Sequence, residues 1–386
     1  MSLCMIVKNE EKHLEQYLLS VREAADEIII LDTGSTDRTK EIAARYTPHV
    51  HDYIWQNDFS AARNASFSLA TKPFILWLDA DDVIEAPELN KLLELKEQLD
   101  AGIDAVMMPY HYAFSPDGTP SLVFERERLV RRGAGFVFAG VVHEAMAVSG
   151  NVIHADIAIR HTGEHGAESN RRNLSIYEAW LAAGKKLEAR DQYYYARELQ
   201  SAGEYARAVQ AYDDYLKMNG WSVNQEDAWR ERGQCLAALG RYTQARQSYF
   251  ASLVDGEPRA ETLCALGESV LKEEKLHAAA TWYRAALLCR MPEDRRSFVY
   301  PDAYGYVPLM QLCVILSRLG EEEEACRMNE QALLLRPGDA AALHNRAYFT
   351  QRLKTGMLPA ASPIKLCSSR NSVVEAGALK NNLYSK

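Results

Sequence analysis

The chain reads as an α/β domain with a mostly parallel sheet, followed by an all-α repeat solenoid. Three observations predict this. Apolar runs of strand length alternate with helical-period segments up to about residue 162. Strand signals vanish after Gly163-Glu-His-Gly166. Beyond that point a helix-turn-helix unit recurs, with Gly203-Glu-Tyr-Ala-Arg-Ala208 and Gly240-Arg-Tyr-Thr-Gln-Ala245 set 37 residues apart.

Taken in order, residues 3–7 are a strand, and 10–24 carry Leu14, Leu18 and Val21 at helical spacing. Residues 27–31 are a second buried strand that ends at Asp32. Gly34 then permits a tight turn, and a helix runs to about Tyr46. A short strand near 49–54, a helix over 60–70 and the run Phe74-Ile-Leu-Trp-Leu78 follow. Five apolar residues in a row suit a strand covered on both faces. Residues 104–112 and 123–131 make a hairpin about the turn Ser115-Pro-Asp-Gly118, and 152–160 is a late strand ending at His161.

Ligands of open α/β sheets bind outside the carboxyl ends of the strands. Three such ends carry polar groups here: Lys8-Asn9-Glu10, Asp32 and Asp79-Ala80-Asp81-Asp82. Asp79 and Asp81 repel each other unless a cation lies between them. Oxygen ligands favour a hard ion, Mg²⁺ or Mn²⁺, shared with a substrate's phosphates. The alternative for these aspartates is a solvated turn capping the next helix. Arg63, early in the helix before the central strand, has the chemistry to clamp a diphosphate; its alternative is a surface ion pair.

Bulk properties exclude several classes. A chain of 386 residues holds two or three domains of roughly 100–200 residues each. A net charge of −9 argues against a nucleic-acid binder. Seven scattered cysteines without Cys-x-x-Cys fit reduced thiols rather than a zinc knuckle or redox pair. No signal peptide is evident and no run approaches the ~20 apolar residues of a membrane span, so a cytoplasmic protein without an integral membrane segment is expected. A Gly-x-x-x-x-Gly-Lys-Ser/Thr loop is missing, Gly133–Phe138 fails the dinucleotide pattern, and His143-Glu144 lacks the second histidine of a zinc protease.

Ser2-Leu-Cys-Met-Ile-Val-Lys-Asn-Glu10, Ile30-Leu-Asp-Thr-Gly-Ser-Thr-Asp-Arg-Thr39, Phe59-Ser-Ala-Ala-Arg-Asn64 and Leu76-Trp-Leu-Asp-Ala-Asp-Asp82 together resemble the family 2 glycosyltransferases of GT-A fold. The resemblance covers roughly the first 160 residues. It implies an inverting enzyme that uses a nucleotide-sugar, commonly a UDP-sugar, with a divalent metal. By that similarity Asp32 faces the base, Arg63 the diphosphate, Asp79 the ribose or metal, and Asp81 the metal. By the same similarity His161 completes the metal site, its alternative being a structural histidine, with His143 and His165 as weaker candidates. Glu144 is the catalytic carboxylate that takes the acceptor's proton; its alternative is a salt-bridged structural glutamate. The family's usual Asp-Asp-Gly-Ser reads Asp32-Thr33-Gly34-Ser35 here, which bears on the choice of nucleotide.

The helical units, with Gly, Tyr, Ala and Pro at recurring offsets, resemble tetratricopeptide repeats. Further copies are expected from Gly267 and from Gly320, with a capping helix over 339–353. Such a solenoid offers a groove for a peptide or protein acceptor; its alternatives are bracing the enzyme or forming a homodimer. The expected boundaries are 1–165 for the transferase domain, 166–187 for a bridging helix, 188–360 for the repeats and 361–386 for a mobile tail. The two-part layout is similar to bacterial peptide glycosyltransferases. A glycan acceptor, as in cell-surface polysaccharide or lipopolysaccharide synthesis, and an inactive repeat scaffold are the competing readings.

Overall fold

The computed structural model describes residues 1–163, 167–218, 220, 222–254, 257–292 and 297–354. The chain divides into two compact units, Met1–Gly305 and Tyr306–Lys386, so the transition expected near residue 165 falls inside the first. His165 and the tail expected over 361–386 lie outside the described residues.

The first unit opens as β1 (Ser2–Val7), α1 (Leu14–Val21), β2 (Glu27–Asp32), α2 (Thr39–Ala43), β3 (Val50–Asp52), α3 (Phe59–Ser68) and β4 (Phe74–Trp77). These four strands pair in parallel in the order β3-β2-β1-β4. Strand side chains alternate between faces, and both faces are covered. Leu3, Met5, Ile30 and Leu76 enter one core layer; Cys4, Ile29, Ile75 and Trp77 enter the other. That double burial explains why the strands read as unbroken apolar runs. Asp58 starts α3 by accepting a 2.9 Å bond from the Ala61 amide.

The sheet continues through β5 (Asp82–Val83), α4 (Ala86–Gln98), β6 (Ala105–Phe114), β7 (Pro120–Arg131), β8 (Phe138–Ala139), β9 (Ala145–Met146), β10 (Val152–His154) and β11 (Ile159–His161). Beyond β4 the order is β7-β6-β11-β5, with β10 also on β6 and β8-β9 a separate pair. The strand expected over 152–160 is thus two strands. His154 pairs with Met107 and Ile159 with Tyr110, so residues 155–158 carry two more positions than β6 spans and leave the ladder.

The helical part holds α5 (Ala167–Ala182), α6 (Ala189–Ser201), α7 (Tyr205–Leu216), α8 (Ser222–Ala238), α9 (Tyr242–Ala251), α10 (Ala260–Leu271) and α11 (Leu276–Ala286). Helices pair as α6–α7, α8–α9 and α10–α11, while α6, α8 and α10 touch one another as an inner row. The turn inside each pair uses a left-handed residue: Gly203, Gly240 and then Glu274 at φ 60°. The glycine expected to begin the third copy, Gly267, sits instead in mid-α10 against the Tyr283 ring, as Gly233 sits against Tyr249. The inner row is covered by the chain itself. Phe298–Tyr300 crosses it, with the Phe298 carbonyl accepting from Arg259 at 2.5 Å and the Tyr300 amide donating to Glu261 at 3.1 Å. Val299 in turn bonds Val123 of β7 in both directions at 3.0 Å.

In the second unit α12 (Tyr306–Arg318) pairs with α13 (Glu322–Leu335) about Gly320, and α14 (Ala340–Lys354) packs on α13. There the buried Asn329 amide donates to the Ala342 carbonyl at 2.9 Å. No described helix is long and apolar enough to cross a membrane. The six described cysteines are free thiols.

Candidate functional site

The carboxyl ends of β1, β2 and β4 share one edge of the sheet, so the loops after them converge. The first two are knitted together. Asn9, in the left-handed region at φ 58°, accepts from the Thr36 amide at 2.8 Å, and its own amide donates to Ser35 Oγ at 2.9 Å. The Glu10 amide donates to Thr39 Oγ1 at 2.6 Å. Asp32 is buried at the end of β2. Its Oδ1 accepts from the Gly34 and Ser35 amides at 2.9 and 2.8 Å, while Oδ2 has no partner among the described residues. A buried carboxylate oxygen without a donor costs free energy unless a ligand supplies one.

A second cluster lies after β4. One donor atom each from Asp81, Asp82 and His161 fall within 4.8 Å of one another. The sheet explains the meeting: β11 runs antiparallel to β5 and sets His161 directly opposite Asp82. His161 Nδ1 stands 3.4 Å from Asp81 and 3.7 Å from Asp82, and the Tyr110 hydroxyl bridges it to Asp82 at 3.0 and 2.7 Å. Burial alone would lower the His161 pKa, but hydrogen bonds to Asp81 and Asp82 outweigh it and raise it to about 10. Glu10 is pushed up to about 7 by burial and then by the charges of Asp81, Asp37 and Asp79. The pocket is therefore rich in negative charge and short of cations. A Cβ on Gly163 would come 2.2 Å from Asp81 Oδ2, so only glycine leaves the carboxylate its place. Two carboxylates with one imidazole suit Mn²⁺ or Mg²⁺, and the donor set fits such an ion.

Arg63 and Asp79 form a third group. Arg63 is buried, its Nη2 bonding Asp79 and its Nε bonding Glu144, with its guanidinium carbon 4.6 Å from the Trp77 ring centroid. Arg128, fully buried, reaches Asp82 at 2.9 Å and Asp79 at 3.8 Å. Burial opposes ionisation of Asp79, yet Arg63 and Arg128 prevail and hold its carboxyl well below the usual range. The Asp79 amide also donates to Asp82 at 2.9 Å.

The six residues singled out from the sequence thus fall into three sets. Asp81 and His161 meet in the cation cluster. Asp79, expected beside them, is bonded by Arg63 and lies 3.8 Å from Arg128, and Asp82 is the third residue whose donor atom lies within 4.8 Å of the other two. Arg63 joins Asp79 to Glu144 in the interior, so a surface ion pair does not describe it, and Nη1 with the second N–H of Nη2 is left for other partners. Asp32 stands apart at β2. Asp82, Arg128 and Tyr110 were not singled out for any role. Asp82 adjoins the motif, but its role depends on the β5–β11 register, and Arg128 and Tyr110 come from distant strands with no local signal.

The Glycosyl transferase family 2 model matches residues 2–145. The SPbeta prophage-derived glycosyltransferase SunS of Bacillus subtilis (strain 168) is 30% identical over 253 residues, covering 61% of this chain and 56% of that protein. A TPR repeat-containing protein of Synechococcus elongatus is 46% identical over 99 residues, 26% of this chain and 24% of that protein. The lipopolysaccharide core biosynthesis glycosyltransferase LpsC of Rhizobium meliloti is 29% identical over 162 residues, 40% and 60% of the two chains. The chain spans about half the length of the first of these relatives and less than two thirds of the others. Residues 2–145 thus match the family 2 glycosyltransferase model on an α/β sheet, and the helical pairs that follow resemble tetratricopeptide repeats.

Proposed function

We propose that this chain transfers a sugar from a nucleotide-sugar, a UDP-sugar, to an acceptor, with inversion at the anomeric carbon and with Mn²⁺ or Mg²⁺ bound. The observation that carries the reading is the Asp81, Asp82 and His161 cluster at the carboxyl edge of the sheet, beside the unpaired oxygen of Asp32. Asp32 Oδ2 has the lone pair to accept the N–H of a uracil ring. Asp81, with Asp82 and His161, holds the cation, which neutralises the departing diphosphate. Arg63 and Arg128 keep Asp79 ionised and fixed at the strand end, where it faces the ribose or the metal. The acceptor gives up its proton on the Gly140–Glu144 side of the site, which carries two candidate bases, Glu144, expected from the sequence, and His143 beside it.

Two acceptor classes fit this reading. A polypeptide acceptor would use the repeats, but Phe298–Tyr300 already lies on their inner row, so it needs another face or must displace that segment. The similarity to LpsC, named for lipopolysaccharide core biosynthesis, favours a glycan acceptor.

The test is nucleoside diphosphate release from a panel of nucleotide-sugars, with Mn²⁺ or Mg²⁺ and with chelator, for wild type and Asp81→Asn. Metal-dependent release from one donor, lost in the variant, is the expected result. Release that ignores chelator removes the metal from the proposal, and no release from any donor removes the transferase.

A further inference from the structure

The loop Gly140–Glu144 belongs to the transferase domain in sequence but is packed into the helices. Val141 and Val142 are buried in one core with Leu174, Tyr177 and Tyr193 of α5 and α6. The Tyr177 hydroxyl donates to the Val142 carbonyl at 3.2 Å. Arg190 donates to the His143 carbonyl from Nε at 3.1 Å and from Nη2 at 2.9 Å. His143 itself sits in the left-handed region at φ 53°, a strained place for a residue with a side chain. Its ring stacks on Tyr194 at 4.4 Å, and its Nε2 lies 2.5 Å from Glu198 Oε1 on α6. Strained residues persist where their surroundings over-determine them, and they concentrate at active sites.

From these contacts we propose that His143, rather than Glu144, takes the acceptor's proton, and that Glu198 of the first repeat pair orients it. This rests on the transferase reading above. Glu144 is buried and committed to Arg63. The His143 side chain is 32% exposed, and among the described residues no group bonds its Nδ1. With the Nε2 proton donated to Glu198, Nδ1 carries the free lone pair. Glu198 is 4% exposed, and its Oε2 has no partner among the described residues, so the carboxylate is placed to stabilise an imidazolium when one forms. The dyad also borders the donor site, since the next residue, Glu144, bonds Arg63, which in turn bonds Asp79 at the end of β4. The Tyr112 hydroxyl is pushed up to about 12 first by burial; it feels Arg197 and Glu198 from α6 and also Asp81 and Asp79. Its ring stacks on His161 at 5.1 Å.

In the step, the acceptor's X–H bond breaks and its proton passes to His143 Nδ1. The freed electron pair on X forms the bond to the anomeric carbon. The anomeric C–O bond breaks and its pair leaves on the diphosphate. The helical region thus supplies a positioning residue to the reaction.

The test uses the full chain, with water as the acceptor and release of UDP from the best donor as the rate. His143→Ala is expected to lower the rate about 100-fold while UDP–Mn²⁺ affinity holds, and added imidazole to recover about tenfold. Glu198→Gln is expected to lower kcat about tenfold without raising the donor KM. A His143→Ala rate near wild type, or a loss that imidazole does not relieve, overturns the proposal. Nitrogen-15 NMR of histidine-labelled protein gives a second readout that needs no turnover. Neutral His143 should carry its proton on Nε2 in wild type and lose that preference in Glu198→Gln; an Nδ1-protonated ring in wild type overturns the dyad. Wild type that turns over no donor would instead defeat the transferase reading, while the NMR result still decides the dyad.

Discussion

Two regions of the first unit bury arginine–carboxylate networks, and they differ in charge balance. On the inner row of helices, Asp227, Glu231 and Glu261 meet Arg197, Arg230 and Arg259. The chain's own Phe298–Tyr300 then closes over them, Arg197 lying 4.1 Å from the Phe298 ring. At the strand ends, the five carboxylates Glu10, Asp79, Asp81, Asp82 and Glu144 still outnumber the four cationic groups Arg63, Arg126, Arg128 and His161. A matched network is a structural joint. An unmatched one, with His161 driven toward protonation and Asp32 Oδ2 unpaired among the described residues, fits the cation and ligand proposed for it.

This contrast predicts opposite responses to substitution. The largest effect falls at the unmatched site: Asp81→Asn, or chelator on wild type, should cut donor turnover by about 1,000-fold or more. Without metal the same variant should melt at or above the wild-type temperature, because it removes one uncompensated charge. Activity assays and thermal melts check both halves, and a marked loss of stability would break the comparison. Arg259→Met, in the matched network, should instead cost about 3–5 kcal/mol in urea unfolding, since it leaves Asp227 with Arg230 alone and Glu261 without its arginine in the interior.

Smaller effects probe the repeat geometry. Gly233→Ala would set a methyl group 2.3 Å from the Tyr249 ring and should cost about 1–3 kcal/mol, read from the same unfolding curves. Glu274→Gly should gain about 1 kcal/mol by relieving a left-handed backbone where the sister turns have glycine. A loss there would mean that the Glu274 side chain contributes more than its backbone costs.

The sheet was legible because its strands are buried on both faces, so Ile28–Leu31 and Phe74–Leu78 stand out as apolar runs that stop at aspartates. The loops after them could be read for the same reason. The strand over 152–160 was only half legible, because its break is set by the offset against β6 and not by any local residue. In the helices the small–tyrosine pairings gave the repeats, but a glutamate holding a glycine's conformation at 274 shifted the third copy. At the site, Asp81 and His161 could be picked out individually. Which of Asp79 and Asp82 comes within 4.8 Å of Asp81 and His161 could not be, since it depends on the β5–β11 register. The tie between His143 and Glu198 spans 55 positions and two fold types, beyond the reach of any spacing rule.

The most direct measurement is Mn²⁺ binding followed by electron paramagnetic resonance, with UDP present, for wild type, Asp81→Asn and His161→Gln. The account predicts a bound-ion spectrum in wild type and at least about a tenfold loss of affinity in each variant. Wild-type affinity in both variants would contradict the assignment of the cluster as the metal site.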